Sequence, residues 1–350
     1  MKKLVFAALL AAFSVGCSDD KPVLQVYSWS DYVSDVVVSE FEQKYNCSVK
    51  ISSFDSNEAM YAKLKAGAAG YDVIVPSSYQ VEMLVSEGML EKLDHSKLKN
   101  VKKNFDRRYE KQVLDPEMNY SVPYVITYTG FLYRKDCLPK GADPNSWSLF
   151  GHAGLKGRIS FLDDIREVIG AGLMYNGYSI NSESQAEIDK AVETVLAWKK
   201  NIRKFDAESY KTEVVNKSSY AGHGYSSDSA QVMRNEDGSF REDLGFAYPK
   251  EGFCVAFDEL AILKTARNKD LAYKFIDFLY EAENAVENMN YVCGVMPHAE
   301  AIGFLQPEFR ALLIPPKETM QKGQLLRSVA GKQEVSEMYN KAWDRIKSMK

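Results

Sequence analysis

From Leu24 to Glu87 the chain alternates short apolar, β-branched runs with segments of helical periodicity, and this alternation limits the architectures open to it. The pattern predicts a strand at Leu24 to Trp29, a helix at Val33 to Tyr45 and a strand at Ser48 to Phe54. A helix through Met60 and Leu64, ending near Gly67, leads to a strand at Val73 to Val75 and a helix through Val81 to Glu87. Repeated βαβ units of this length require a largely parallel sheet with helices on both faces, an α/β fold. In open sheets of that kind ligands bind beyond the C-terminal strand ends. Two such ends carry aromatic rings and small hydroxyls, Trp29-Ser30-Asp31-Tyr32 and Pro76-Ser77-Ser78-Tyr79. That is the layout of a cleft for a small, partly apolar, cationic molecule.

A second α/β set follows, with a strand at Arg158 to Leu162 and a helix at Asp164 to Tyr175. A long helix from Glu183 to Ile202, a strand near Leu244 to Tyr248 and a final helix from Gln333 to Met349 complete it. Two long apolar runs, Tyr120 to Tyr133 and Phe253 to Leu263, are placed to leave the first lobe and return to it. With 350 residues, 45% of them hydrophobic, the chain can bury one large or two medium cores. Two lobes joined by two hinge crossings form a clamshell that closes on its ligand. The expected division is 23–127 with 258–300 for lobe 1, and 128–257 with 301–350 for lobe 2.

Lys2-Lys3, the apolar run Leu4 to Val15 and Gly16-Cys17 read as a bacterial export signal over residues 1–16. The run is too short to span a bilayer. Small residues before Cys17 and Ser18-Asp19-Asp20 after it resemble a lipoprotein cleavage site, which makes Cys17 the lipidated residue of a short tether, 17–22. The formal net charge is −4, and without residues 1–16 it is about −6. No cluster of Lys and Arg appears, which argues against nucleic acid as a partner. Cys47, Cys137, Cys254 and Cys293 stand far apart; an exported chain can bridge them or leave them as free buried thiols. No metal-ligand spacing, Walker A motif or dinucleotide fingerprint is present, so neither metal nor cofactor is expected.

Asp164 and Glu167 lie three apart at a helix start, on one face. They fit either an ammonium-binding pair or a helix cap. Asp258 sits inside an apolar run, where a charge costs several kcal/mol unless it is paired, so it faces a cleft or solvent. Gly224-Tyr225-Ser226-Ser227-Asp228-Ser229 reads as a turn before a helix, with Ser227 or Asp228 available as its cap.

In order and spacing, Tyr-Ser-Trp-Ser-Asp-Tyr (27–32), Ser-Asn-Glu-Ala-Met-Tyr-Ala-Lys-Leu-Lys (56–65), Tyr-Asp-Val-Ile-Val-Pro-Ser-Ser-Tyr (71–79), Asp-Asp-Ile-Arg-Glu-Val (163–168) and Tyr-Pro-Lys-Glu-Gly (248–252) resemble the spermidine/putrescine-binding proteins of bacterial ABC importers. The resemblance covers essentially the whole mature chain. It implies a type II periplasmic-binding-protein clamshell, a polyamine ligand, an ABC permease as partner, and a protein that is not an enzyme. It also implies that Trp29, Tyr32, Tyr79 and Tyr225 are cleft aromatics and that Ser30, Asp31 and Ser77 are polar contacts. Asp164, Glu167, Asp228 and Asp258 then receive the cationic nitrogens. A family aromatic of the second crossing falls at Ala256, with Phe257 as its substitute, and a family Gln or Lys aligns with Arg327, which would repel an ammonium. Asp228 and Arg327 tilt the expectation from spermidine towards putrescine. The rival readings are a binding protein for a sugar or amino acid, an adhesive surface lipoprotein and a secreted glycosidase. The last needs carboxyls flanking a bond at roughly 5 to 9.5 Å, whereas Asp164 and Glu167 share one helix face.

Overall fold

A computed structural model describes residues 21–348 apart from 69, 111, 330 and 331. The export signal, Cys17 and most of the tether lie outside the described residues. Ten strands are present among the described residues. In chain order they are β1 (Val23–Ser28), β2 (Ser48–Ser53), β3 (Val73–Ile74), β4 (Ser121–Arg134), β5 (Ile159–Phe161), β6 (Ile202–Phe205), β7 (Ala221–Tyr225), β8 (Leu244–Ala247), β9 (Phe253–Ile262) and β10 (Gly323–Leu325).

The βαβ reading holds in each half. β2, β1 and β3 run parallel, as do β6, β5 and β7. Each parallel trio abuts a long strand that crosses between the halves. β9 runs antiparallel to β3 and to the first part of β4, and the last part of β4 runs antiparallel to β7 and β8. β4 therefore belongs to both sheets, with β9 paired along its first part, as a two-lobed clamshell requires. Pro123, which has no N–H to give a ladder, sits where the β4–β9 register shifts, the position a sheet tolerates for proline.

Each sheet carries its own apolar core. Leu24, Val26, Val37 and Phe41 pack with Phe275 and Ile276 in one, and Trp147, Phe150, Phe161 and Trp198 pack with Ile169 and Val192 in the other. Helix Asp35–Tyr45 starts at Ser34, whose hydroxyl accepts from Val36 N, and ends at Asn46 in the left-handed region, one of the few residues that tolerates it. Among the described residues no helix is long and apolar enough to cross a membrane.

Two expectations need correction. The long helix spans Gln185–Lys199, and Ile202 opens β6 opposite Ile159 rather than ending the helix. An apolar residue three positions past a helix end satisfies both periodicities, so pattern alone could not separate them. The segment read as a turn at Gly224-Tyr225 is the end of β7, and helix Ser226–Met233 begins directly after it, with Tyr225 at the cap position and no side-chain cap. Glycine is needed there because the Tyr210 ring lies across the strand; a Cβ on Gly224 would stand 2.0 Å from it.

Candidate functional site

The parallel strands of the two lobes end facing one another. The loop after β1 carries Trp29 to Tyr32 and is fixed from behind: Tyr124 Oη donates to Tyr32 O at 2.6 Å, Asn288 donates to Tyr124 Oη, and Ser34 N donates to Asn288 Oδ1 at 2.8 Å. Trp29 packs on Phe54 at 4.5 Å. The loop after β3 places Ser77 and Tyr79, and Asn57 ties them together: its amide donates to Ser77 Oγ at 3.1 Å and to Tyr79 Oη at 2.7 Å.

β9 supplies the carboxylate between these loops. Asp258 is buried and accepts from Tyr32 Oη at 2.5 Å and from Ser77 Oγ at 2.7 Å. Burial pushes its carboxyl up, the Ser77 and Tyr32 hydroxyls that donate to it oppose that shift, and Thr127 and Trp29 beside it add to the opposition, although the buried Trp29 indole N–H has no hydrogen-bond partner. Burial and the Asp258 charge together raise the Tyr32 phenol well above its ordinary value. The strand's two-residue alternation puts Ala256 on the same face as Asp258. Phe257 points the other way, fully buried and edge-on to Tyr109 at 6.3 Å, so it does not replace a cleft aromatic.

The opposite wall comes from lobe 2. Asp164 caps helix Ile165–Tyr175, its Oδ1 accepting from Arg166 N at 2.8 Å and Glu167 N at 3.0 Å. It is half-buried, and loss of water around it, followed by the charge of Glu167, pushes its pKa up to about 6. Glu58 of the first lobe adds to that rise, so the two lobes stand within each other's field. Glu167 is buried, and its Oε2 has no hydrogen-bond partner in a position 3.7 Å from His223 Nε2. Both ring nitrogens of His223 also lack partners, and burial lowers that imidazole's pKa.

Tyr79 and Tyr225 lie between the walls. After burial, the charge of Asp164 is the largest influence raising each phenol, and Tyr79 also feels Asp258 while Tyr225 also feels Glu167. Tyr79 packs against the core of the second lobe, so the lobes touch across the cleft. At the far end Asp228 is half-buried. Its Oδ2 accepts from Tyr210 Oη at 3.1 Å, and the same Tyr210 oxygen accepts from Tyr225 N at 2.9 Å. Burial raises the Asp228 carboxyl, and its charge reaches Tyr32.

Of the residues named from sequence, Trp29, Tyr32, Ser77, Tyr79, Asp164, Glu167, Tyr225, Asp228 and Asp258 thus form one connected set. Three others stand at its edge. Ser30 and Asp31 are exposed, Asp31 at φ 55° and within reach of the Tyr291 phenol. Arg327 is exposed as well; its backbone is held by Asn181 Oδ1 at 2.8 Å and Arg166 Nη1 at 3.0 Å, and the next residue, Ser328, donates its N–H to Glu82 of the first lobe at 3.2 Å. Asn57, Thr127 and Tyr210 were not singled out from sequence; Asn57 stands in the segment 56–65 quoted for the family resemblance, and no motif marks Thr127 or Tyr210. The four described cysteines are free thiols.

The sequence pattern of bacterial extracellular solute-binding proteins matches residues 37–302. The chain is 36% identical over 355 residues to the putrescine/cadaverine-binding protein of Pseudomonas aeruginosa, covering 99% of each. It is 31% identical over 349 residues to the spermidine/putrescine-binding periplasmic protein of Escherichia coli K12, covering 99% of this chain and 97% of that one. Among solved structures it is similar to a Treponema pallidum lipoprotein, with a TM-score of 0.82 and 32% identity over 93% of this chain and 99% of the other. It is also similar to a spermidine/putrescine ABC transporter substrate-binding protein of Streptococcus pneumoniae, with a TM-score of 0.80 and 28% identity over the same shares.

Proposed function

The chain belongs to the family of bacterial extracellular solute-binding proteins, and on that premise we propose that it captures a linear polyamine of the putrescine class between its lobes and delivers it to an ABC permease. The observation that carries the reading is charge without counter-charge. Asp258 on one wall and Asp164 with Glu167 on the other meet no lysine or arginine among the described residues, and tyrosine rings fill the space between them. A buried carboxylate with only hydroxyl partners is costly until a cation arrives. An α,ω-diamine matches both features, since its ammonium ends meet the carboxylates and its methylenes lie against rings.

In this reading Asp258 takes one nitrogen, Asp164 and Glu167 take the other, and Tyr79 and Tyr225 wall the methylenes. Trp29, Tyr32 and Ser77 position Asp258, and Ser30 and Asp31 line the entrance. The lobes hinge near 127/128 and 257/258, where β4 leaves its ladder with β9 for the second sheet and β9 runs beside it. Residues 1–16 act as an export signal and Cys17 carries a lipid that holds the protein at the membrane, a reading supported by the likeness to a spirochaete lipoprotein. The extracytoplasmic setting accords with the periplasmic relatives.

The test is isothermal titration of lipid-free protein, prepared from residue 18 onward and stripped of carried-over ligand, with putrescine, cadaverine and spermidine. Submicromolar binding of a diamine is expected. No heat and no competition at millimolar concentration would reject the polyamine reading in favour of another solute. Cys17→Ser is expected to move the protein from the membrane to the soluble fraction, and an unchanged distribution would reject the lipid anchor.

A further inference from the structure

One carboxylate of the cleft differs from the others. Asp228 has a cation of the protein's own beside it: Lys211 Nζ lies 3.6 Å from Asp228 Oδ1 and donates to Gln231 Oε1 at 2.9 Å. Gln231 is anchored in turn to Val292 O at 3.4 Å, so the lysine head is held and does not wave in solvent. Lys211 and Asp228 are both about one-quarter exposed, 26% and 23% by side chain, at the rim of the buried site. Lys211 follows Tyr210, whose hydroxyl holds the other oxygen of Asp228 and the backbone of Tyr225. Arg234 stands in the same neighbourhood, since Cys293 lies within the fields of Lys211, Arg234 and Asp228 together.

Among the described residues, the buried and half-buried carboxylates of the cleft walls that have no lysine or arginine beside them are Asp258 and the Asp164–Glu167 pair. We propose that Lys211 is a specificity-determining residue, a built-in cation that occupies the Asp228 carboxylate and so limits the cleft to diamines. This rests on the polyamine reading given above. A diamine carries two cationic nitrogens and uses the two open positions. A triamine brings a third, which meets an aspartate already paired and an ammonium of like charge. Specificity of this kind comes from a repulsive element as much as from attractive ones. Like charges at such separations are weakly screened where water is partly excluded.

The experiment is titration of putrescine and spermidine into the wild type, Lys211→Met, Lys211→Arg and the double variant Lys211→Met with Asp228→Asn, each checked for an intact melting transition. The wild type is expected to prefer putrescine. Lys211→Met is expected to shift the spermidine-to-putrescine affinity ratio towards spermidine by at least tenfold, and Lys211→Arg to keep the wild-type ratio. In the double variant the gain should vanish, because the carboxylate that Lys211 had occupied is gone. A purely structural lysine would change both affinities together and leave the ratio alone. An unmoved ratio in Lys211→Met, a gain that persists in the double variant, or a wild type that takes spermidine as tightly as putrescine would each overturn the assignment. Loss of all polyamine binding in the wild type would overturn the polyamine reading itself, and this inference with it.

Discussion

Asp258→Asn is the substitution whose consequences can be worked out most completely. The amide keeps the carboxylate's shape, and the fold has means to accept it. The amide oxygen would still accept from Tyr32 or Ser77, and Ser77 Oγ can rotate its hydrogen to receive the new N–H beside the one it takes from Asn57. What is lost is the charge. A charge-assisted hydrogen bond contributes about 1.5 to 3 kcal/mol, so putrescine affinity should fall by roughly ten- to a hundredfold. The unliganded protein should respond the other way, because burial penalises the Asp258 charge and the amide carries none. Its melting temperature should be equal to or above that of the wild type. Differential scanning fluorimetry with and without ligand separates the two effects. At a putrescine concentration about 100 times the wild-type Kd, the ligand adds about 2.7 kcal/mol to the wild type. A variant with about 30-fold weaker binding gains only about 0.9 kcal/mol at the same concentration. A dissociation constant within threefold of the wild type would remove Asp258 from the site, and a lowered unliganded melting temperature would refute the account of its burial.

Three further outcomes follow from the geometry. Because a carboxylate pairs with an ammonium only when ionised and the Asp164 pKa stands at about 6, the proposed pairing makes putrescine affinity full above pH 7 and roughly tenfold lower at pH 5. Asp164→Asn should lower the affinity and flatten this profile, and a wild-type affinity unchanged through pH 6 would contradict it. Glu259, on the other face of β9, accepts from Ser78 Oγ at 2.6 Å and from Ser121, and burial pushes its pKa up to about 7. A raised carboxyl favours the folded state below its unfolded value near 4.5 and loses that contribution as pH rises through 7. Wild-type stability should therefore drop by ~3 kcal/mol over that window relative to Glu259→Gln in urea melts, and parallel profiles would refute the shift. Gly224→Ala should cost about 3 kcal/mol in the same assay, since its Cβ meets the Tyr210 ring that holds Asp228, and a neutral effect would show the ring free to move.

The legible part of the sequence was the part written in local periodicity. β1, β2 and helix Asp35–Tyr45 fall within a residue or two of their expected limits because apolar spacing and the Ser34 cap act over a few positions. The two readings of Asp164, cap and ammonium partner, turn out to be compatible, since the cap occupies Oδ1. β7 was illegible because Gly222 and Gly224 weaken the strand signal, and their reason lies in a ring contributed from position 210. Phe257 misled because sequence adjacency does not set which face of a strand is wet; its pairing with Ile126, beside Asp258 with Val125, does. The roles of Lys211 and Asn57 were beyond reach, although Asn57 stands in the segment 56–65 that carries the family resemblance. Each acts on residues 17 to 22 positions away, and nothing in its own neighbourhood announces a partner.

The crossing strands give this architecture its mechanical sense. β9 carries Asp258 within the ladder that joins the sheets, and β4 pairs Thr129 with Tyr225 where the second lobe begins. The groups that would meet a ligand are thus fixed to the strands about which the lobes would turn. Bringing the lobes together gathers Asp164, Glu167, Asp228 and Asp258 at one place, and of these only Asp228 has a lysine beside it. Like charges so gathered oppose closure until they are neutralised, and the repulsion strengthens as the cleft loses water. A ligand that bridges the two walls with one cation for each relieves that repulsion on both sides. A single cation leaves one wall charged, so closure itself selects for a dication.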